Sequence, residues 1–169
     1  MSDLSEFRRS KDEFFAGSHD SPLTGHQTHN FKGLRYYDDN PGLRFVLKPE
    51  EFESQDATEV QTSTGDVAQY IRWARISFEV GGQKAQLTLF KDEGSGGFFL
   101  PFADATSGHD TYGSGRYLEV EELPDGKFVV DFNYAYNPYC AYNEAWSCPL
   151  TPAENRLTVA VRAGELSFK

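Results

Sequence analysis

The stretch YIRWARISFEVGGQKAQLTLF, residues 70–90, decides the fold class of this chain of 169 residues. Two runs of alternating residues flank Gly81-Gly82, a pair typical of a two-residue hairpin loop. Folding the chain about this pair gives one apolar face and one polar face, and a slip of one residue would mix them. The sequence therefore predicts an antiparallel hairpin with one buried face. Its apolar pairs are Phe78 with Ala85, Ile76 with Leu87 and Ala74 with Leu89, and its polar pairs are Glu79 with Lys84, Ser77 with Gln86 and Arg75 with Thr88.

A second hairpin is predicted around Pro124-Asp125-Gly126, which is typical of a three-residue loop with a glycine bulge. The register that keeps its two faces distinct pairs Val120 with Val130, Leu118 with Phe132, Glu119 with Asp131 and Tyr117 with Asn133. Like charges directly across a strand pair repel. For Glu119 and Asp131 we therefore expect a compensating cation such as Arg116, a shared proton that raises one pKa, or exposure to solvent.

The remaining elements are predicted on either side of these hairpins. Residues 3–16 carry apolar side chains at helical spacing and are followed by Gly17-Ser18, which predicts a helix within residues 1–17 that braces a sheet. Alternation predicts strands in GLRYYDD, LRFVLKPE, EVQTST and RLTVAV. The apolar positions change parity at Ala163-Gly164, so we expect a bulge or a tight turn there.

These elements predict one all-β domain over residues 1–169. Its expected architecture is an antiparallel β-barrel of lipocalin-like shape over residues 33–169, preceded by the N-terminal helix, with a β-sandwich as the alternative. A chain of this length is long enough to bury a core. Fourteen Phe and nine Tyr against a single Met predict that this core is aromatic.

Charge and hydropathy exclude two classes of partner. A net charge of −10 with no run of Lys or Arg argues against nucleic acid. No apolar run approaches the roughly 20 residues of a membrane span, and the opening MSDLSEFRRSKDEFF lacks the apolar core of a signal peptide. We expect a cytoplasmic protein with reduced cysteines. Its acidic composition fits either a high-salt cytoplasm or an ordinary soluble protein.

The segment DFNYAYNPYCAYNEAWSCPLTPAEN, residues 131–155, is the predicted functional region, and we call it the crossing segment. It contains both cysteines of the chain, with prolines and asparagines that are typical neither of a helix nor of a core strand. Long segments of this kind inside a domain either carry function or pack as structured loops.

The runs FRRSKDEFF, FKGLRYY, FADATSGHDTYGSGRYLEVE and NPYCAYN, with PAENRL and RAGE further along, extend over nearly the whole chain. On these runs the sequence resembles the bacterial and archaeal domain-of-unknown-function family numbered 1684. The resemblance implies no established activity. The resemblance does not imply that the family requires a histidine at position 109, and this disfavours His109 as a catalytic base. The positions that coincide with the family's signature are Arg116, Tyr117, Asp131, Asn133, Asn137, Pro138, Cys140, Tyr142, Cys148, Pro149, Glu154 and Asn155.

The leading functional hypothesis is that the barrel binds a small polar molecule in a pocket, because aromatic walls with a few convergent polar groups are typical of such sites. No cofactor is predicted. A metal is not predicted either, because Pro22 and Gly25 favour a surface loop over a helix that would align His26 and His29. The predicted ligand-binding residues are Arg116, Tyr117, Asp131, Asn133, Tyr136, Asn137, Tyr139, Cys140, Tyr142, Glu154 and Asn155.

Two alternatives stay open. One is an enzyme: either a thiol enzyme with Cys140 as nucleophile, or a hydrolase that uses the carboxylates of Glu119, Asp131 and Glu154. Cys140 is otherwise a packed thiol, or it forms a bridge to Cys148 across a short loop. The other alternative is a structural protein whose aromatic residues, such as Tyr139 and Trp146, make a homodimer contact.

Overall fold

The computed structural model describes residues 3–168 and consists of two antiparallel sheets around one aromatic core, with a helix at the N-terminal end. The helices are α1 (Asp3–Gly17) and α2 (Gly25–Asn30). The strands are β1 (Arg44–Leu47), β2 (Glu50–Glu51), β3 (Ala57–Gln61), β4 (Val67–Val80), β5 (Gln83–Asp92), β6 (Phe98–Phe102), β7 (Arg116–Leu118), β8 (Glu121–Glu122) and β9 (Phe128–Asp131). Short 3-10 turns lie at Pro41–Leu43, Phe132–Tyr134, Tyr139–Ala141 and Ala153–Asn155.

The hairpin of β4 and β5 has the predicted register, and all six predicted pairs are confirmed. Gly81 and Gly82 both have positive φ, 57° and 80°, which glycine adopts without steric cost. Ala74, Ile76 and Leu89 on the apolar face are fully buried. Local alternation was therefore sufficient to specify this hairpin.

The hairpin is the centre of the larger sheet. Within residues 3–168 this sheet has six strands in the order β2-β4-β5-β6-β7, with β3 also paired to β4, and a second sheet has the order β1-β9-β8. Rings from both sheets meet in the core, where the centroid of Phe78 lies 5.2 Å from Phe45 and 5.3 Å from Phe132. The antiparallel β class with an N-terminal helix is confirmed. A closed barrel is not observed, because no ladder among the described residues joins the two sheets.

The second hairpin keeps its predicted loop but has a shorter ladder. Leu123 N–H donates to the Lys127 carbonyl at 2.8 Å, and β8 pairs with β9 in the predicted register. The ladder ends at the 3-10 turn after β9, where the Asp131 carboxylate accepts from Asn133 N–H at 3.0 Å. The three extra residues shift the pairing, so that Tyr117 bridges Tyr136. The predicted pairs of Tyr117 with Asn133 and of Leu118 with Phe132 are therefore wrong.

Two predicted strands are extended segments without a continuous ladder. Residues 33–39 make one isolated bridge, and residues 156–161 make another. Both segments hydrogen-bond to loops instead, as where Ala105 N–H donates to the Val159 carbonyl at 2.9 Å. Val159 and Val161 are nevertheless in the core, as their alternation predicted.

The histidine-containing loop was predicted without a helix, and this prediction is wrong. Thr24 and Gln27 form a capping box that starts α2 directly after Pro22. His26 and His29 lie on this short helix, and both are exposed.

Candidate functional site

A groove of about 780 Å³ lies between α1 and the β8–β9 hairpin, and we call it the α1 groove. The helix contributes Phe7, Lys11 and Phe14 to one wall. The opposite wall carries Glu119 and Asp131 from the polar face of the hairpin. Three tyrosines of the crossing segment complete the lining, namely Tyr134, Tyr136 and Tyr139.

Some apolar side chains of α1 anchor the helix to the protein, and others line the groove. Phe15 is 1% exposed, and its ring packs edge-on against the buried Tyr142 with centroids 5.0 Å apart. Phe7 packs edge-on against Tyr134 at 5.0 Å. Phe7 and Phe14 are each 38% exposed, which is high for phenylalanine. The helix is therefore held by the buried side chains of Leu4 and Phe15, while the rings of Phe7 and Phe14 stay open in the groove.

The two cations of the groove already have carboxylate partners. Lys11 Nζ lies 2.7 Å from Glu165 Oε2 and 5.0 Å from the centre of the Tyr136 ring. Arg44 Nε lies 4.0 Å from Asp131 Oδ2. Each cation of the groove is therefore already paired with a carboxylate, and of these two carboxylates Asp131 lines the groove.

Three carboxylates that line the groove have no such partner. Within residues 3–168, no Lys, Arg or His nitrogen lies within 4.0 Å of the carboxylates of Asp3, Glu119 or Glu121. Glu119 accepts a hydrogen bond of 2.6 Å from the hydroxyl of Tyr136, whose pKa is raised first by burial and then by this bond. The groove therefore combines tyrosine rings with uncompensated negative charge.

A compensating cation was among the expected ways to relieve repulsion between Glu119 and Asp131, and Arg44 is the cation that lies beside Asp131. Asp131 receives Asn133 N–H and faces Arg44, while Glu119 receives the Tyr136 hydroxyl. Arg116, the predicted compensating cation, lies elsewhere.

Arg116 is a buried structural residue and does not line the groove. Its guanidinium is fully buried, donates to the Ala163 and Val161 carbonyls, and lies 3.7 Å from Asp104 Oδ1. Burial lowers the pKa of Arg116, and the Asp104 carboxylate opposes this shift. Its role is to hold residues 161–165 against the core.

The predicted asparagines act in a similar way. The side-chain amide of Asn133 binds both the N–H and the carbonyl of Asn40 at 2.9 Å. Asn155 accepts from Thr88 N–H at 2.8 Å and donates to the Thr88 and Pro101 carbonyls at 2.9 and 2.8 Å. These amides replace the ladder hydrogen bonds that irregular backbone lacks.

Glu165 is a residue that the prediction of site residues missed. It is 1% exposed and accepts hydrogen bonds from Lys11, Tyr142 and Asn137. Burial raises the pKa of this carboxyl, and Lys11 opposes the shift. The available signal was its position directly after Ala163-Gly164, where the apolar positions change parity.

The other predicted site residues are dispersed. The Tyr117 hydroxyl donates to the Pro149 carbonyl, and Tyr142 is buried under α1. Glu154 is on the surface, 2.7 Å from Arg72 Nη2 and 2.5 Å from Thr88 Oγ1. Of the predicted set, the structure brings Asp131, Tyr136 and Tyr139 to the groove, and Glu119, predicted as a catalytic carboxylate, joins them.

The two cysteines lie together within the crossing segment, and neither of them lines the groove. Both are free and buried, and Cys140 N–H donates to Cys148 Sγ at 3.2 Å. The Tyr112 hydroxyl oxygen lies 3.6 Å from Cys140 Sγ. Hydrogen bonds, chiefly from the Cys148 thiol, lower the pKa of Cys140 to about 6, while donation of that bond raises the pKa of Cys148.

Neither a metal cluster nor a membrane-spanning helix is found in the described part of the chain. Residues 3–168 contain no group of three or more His, Cys, Asp or Glu side chains arranged to hold a metal ion. None of their helices is long and apolar enough to cross a membrane.

The fold and the groove together define an antiparallel β protein whose N-terminal helix forms one wall of an aromatic, acidic groove. The chain belongs to the family described as Protein of unknown function (DUF1684), whose model matches residues 29–166. It is similar to an uncharacterised protein of Haloarcula marismortui solved by solution NMR, with 36% sequence identity and a TM-score of 0.73. The similarity covers 96% of this chain and 91% of that one. No curated protein matches the chain.

Proposed function

We propose that this protein binds a small organic cation with an apolar body in the α1 groove. The observation that carries the proposal is the presence, in one groove, of exposed aromatic rings beside carboxylates that have no ion pair among the described residues. Carboxylates attract an ammonium group, and tyrosine rings add cation–π attraction when the cation lies over their faces. An anionic ligand would meet repulsion from the same carboxylates.

The size and lining of the groove support a ligand of small-molecule dimensions. Ligand pockets are typically about 300–1,000 Å³ and mostly apolar, and this groove has about 780 Å³. The ammonium group is assigned to the Glu119 end, beside Tyr136. The apolar body is assigned to Phe7 and Phe14, whose exposed rings would become covered on binding.

Geometry favours binding over the two forms of hydrolase. A carboxylate mechanism needs acid and base to converge on one point, but Glu154 pairs with Arg72 outside the groove lining. The other two predicted catalytic carboxylates line the groove, where Glu119 accepts the Tyr136 hydroxyl and Asp131 faces Arg44. A thiol mechanism at this site would need Cys140 in the groove, whereas its sulfur faces Cys148 and Tyr112.

The proposal is tested by isothermal titration calorimetry with three probes of nearly equal shape: 2-phenylethylamine, 2-phenylethanol and 3-phenylpropanoate. We expect the amine to bind about tenfold more tightly than the alcohol, which corresponds to about 1.4 kcal/mol, and the carboxylate to bind least. Absence of binding by all three would overturn the proposal, and so would tightest binding by the carboxylate.

Matched variants locate the site. Glu119→Gln keeps an acceptor for the Tyr136 hydroxyl but removes the charge. It should therefore weaken binding of the amine and leave the affinity for the alcohol unchanged. Glu79→Gln removes one charge from the β4–β5 hairpin, outside the groove lining, and should change neither. Phe14→Ala should weaken binding of both the amine and the alcohol, because it removes a ring assigned to the apolar body of the ligand. Equal loss of amine affinity in Glu119→Gln and Glu79→Gln would contradict the assignment.

A further inference from the structure

The pair of cysteines is the second chemically distinctive cluster, and the proposed binding function does not use it. Cys140 lies in the 3-10 turn Tyr139–Ala141, and Cys148 lies immediately before Pro149. The chain between them folds back, so that Cys148 Sγ accepts the backbone N–H of Cys140 at 3.2 Å. This bond holds the Cys148 sulfur against residue 140, so that a disulfide between the two side chains needs little movement of the backbone.

The surroundings make the two thiols unequal. The Tyr112 hydroxyl lies 3.6 Å from Cys140 Sγ, a contact that favours the thiolate of Cys140. Interaction with the Cys140 sulfur raises the pKa of Cys148, which keeps the Cys148 thiol protonated. Cys148 adjoins the exposed Ser147, and the cysteines themselves are 5% and 7% exposed. A reactant at this site must therefore be small.

We propose that Cys140 and Cys148 form a redox site at which a small hydroperoxide is reduced and the two thiols become a reversible disulfide. Cys140 is the attacking sulfur and Cys148 the resolving sulfur. The site is separate from the α1 groove, because neither cysteine lines that groove.

The chemistry balances in two steps. The Cys140 thiolate attacks one peroxide oxygen, the O–O bond breaks, and the leaving oxygen takes a proton from solvent to become water or an alcohol. Sulfur is thereby oxidised to sulfenic acid as the peroxide is reduced. Cys148 then attacks the sulfenic sulfur, the S–O bond breaks, and water leaves with the proton of Cys148. A dithiol reductant returns both thiols by thiol–disulfide exchange.

The test is intact-mass spectrometry of the reduced protein after treatment with hydrogen peroxide, with and without later dithiothreitol. We expect the monomer to lose two hydrogen atoms and both free thiols, and dithiothreitol to restore them. Persistence of both thiols would overturn the proposal, and so would a disulfide formed only between chains.

Two variants separate the roles of the sulfurs. In Cys148→Ser the reaction should stop at sulfenic acid, which dimedone traps on Cys140 in near-stoichiometric yield. In Cys140→Ser the trapping should fall at least tenfold, because the Tyr112 hydroxyl lies against Cys140 Sγ, whereas Cys148 Sγ accepts only a backbone N–H among the described hydrogen bonds. Circular dichroism confirms that each variant is folded before treatment. Equal trapping in the two folded variants would overturn the assignment of Cys140 as the attacking sulfur.

Discussion

The β4–β5 hairpin and the crossing segment (residues 131–155) are stabilised in different ways. The hairpin satisfies its backbone polar groups by a regular ladder and buries one alternating apolar face. The crossing segment folds into 3-10 turns. It is held by hydrogen bonds between side chains and backbone that are far apart in the sequence, such as the bond from the Asn133 side chain to the Asn40 carbonyl. Regular structure is thus encoded locally in this protein, whereas irregular structure depends on single buried polar residues.

The largest expected effect comes from the buried cation. Arg116→Met removes the donor to two carbonyls and leaves the Asp104 carboxylate buried without its neighbouring charge. We expect a loss of about 3–5 kcal/mol in the free energy of unfolding, measured by urea denaturation. Lys84→Met, on the exposed face of the hairpin, should change it by less than about 0.5 kcal/mol. Similar losses in the two variants would contradict the contrast between the regions.

Two glycines with nearly identical φ provide a closer comparison. Gly164 has φ 81° and Gly82 has φ 80°, so an alanine at either position suffers the same backbone strain. A Cβ at Gly164 would lie 2.8 Å from the Phe132 carbonyl oxygen, whereas a Cβ at Gly82 meets open space. We expect Gly82→Ala to cost about 1 kcal/mol and Gly164→Ala roughly 3 kcal/mol, since overpacking adds to the strain. Equal melting temperatures for the two variants would show that the close approach does not matter.

The pH dependence of two glutamates should have opposite signs. The pKa of Glu165 is raised, chiefly by burial, so its contribution to stability is present below about pH 4.5 and is lost as pH rises through its folded-state pKa. Burial also opposes ionisation of Glu154, but hydrogen bonds from Arg72 and Thr88 outweigh it and lower its pKa. The contribution of Glu154 is therefore present above pH 4.5 and is lost as pH falls through its folded-state pKa.

Unfolding free energies of the wild type and of the variants Glu165→Gln and Glu154→Gln between pH 3 and pH 8 measure these contributions. The advantage of wild type over Glu165→Gln should shrink with rising pH, and its advantage over Glu154→Gln should grow. Slopes of the same sign would show that burial does not dominate at Glu165.

The smallest expected effect is at the surface contact between the two regions. Arg72→Gln removes the ion pair that joins β4 to Glu154, and both partners are about one-third exposed. Because exposed ion pairs contribute little, we expect a loss of about 0–1 kcal/mol by urea denaturation. A loss comparable to that of Arg116→Met would mean that surface charge, and not the buried network, holds the crossing segment.

The same contrast explains which features were predictable from the sequence. Alternation about Gly81-Gly82 predicted six pairs of the first hairpin but not the register shift between Arg72 and Ala74. The change of parity predicted a bulge or a tight turn at Ala163-Gly164, where the chain bends and Gly164 has positive φ. Thr24 and Gln27 carried a capping-box signal for α2 that was outweighed by Pro22 and therefore missed.

The candidate site was predicted less well, for a physical reason. Buried polar networks and ligand sites use the same residue types, so Arg116 and Asn155 were predicted as binding residues although both bind the protein's own backbone. The helix was interpreted only as a brace, so Lys11 and Phe14 were not assigned to the groove. Only the distances between segments that are far apart in the sequence distinguish a residue of a buried polar network from a residue of a ligand site.

The most direct test of the binding proposal is a map of amide chemical-shift changes in the ¹⁵N-labelled protein on addition of 2-phenylethylamine. We expect the changes to be concentrated at Ser10, Lys11, Glu119 and Tyr136, around the α1 groove, and to be small along the β4–β5 hairpin. Changes concentrated at Cys140 and Trp146, or no changes at saturating amine, would contradict the proposal that the groove is the ligand site.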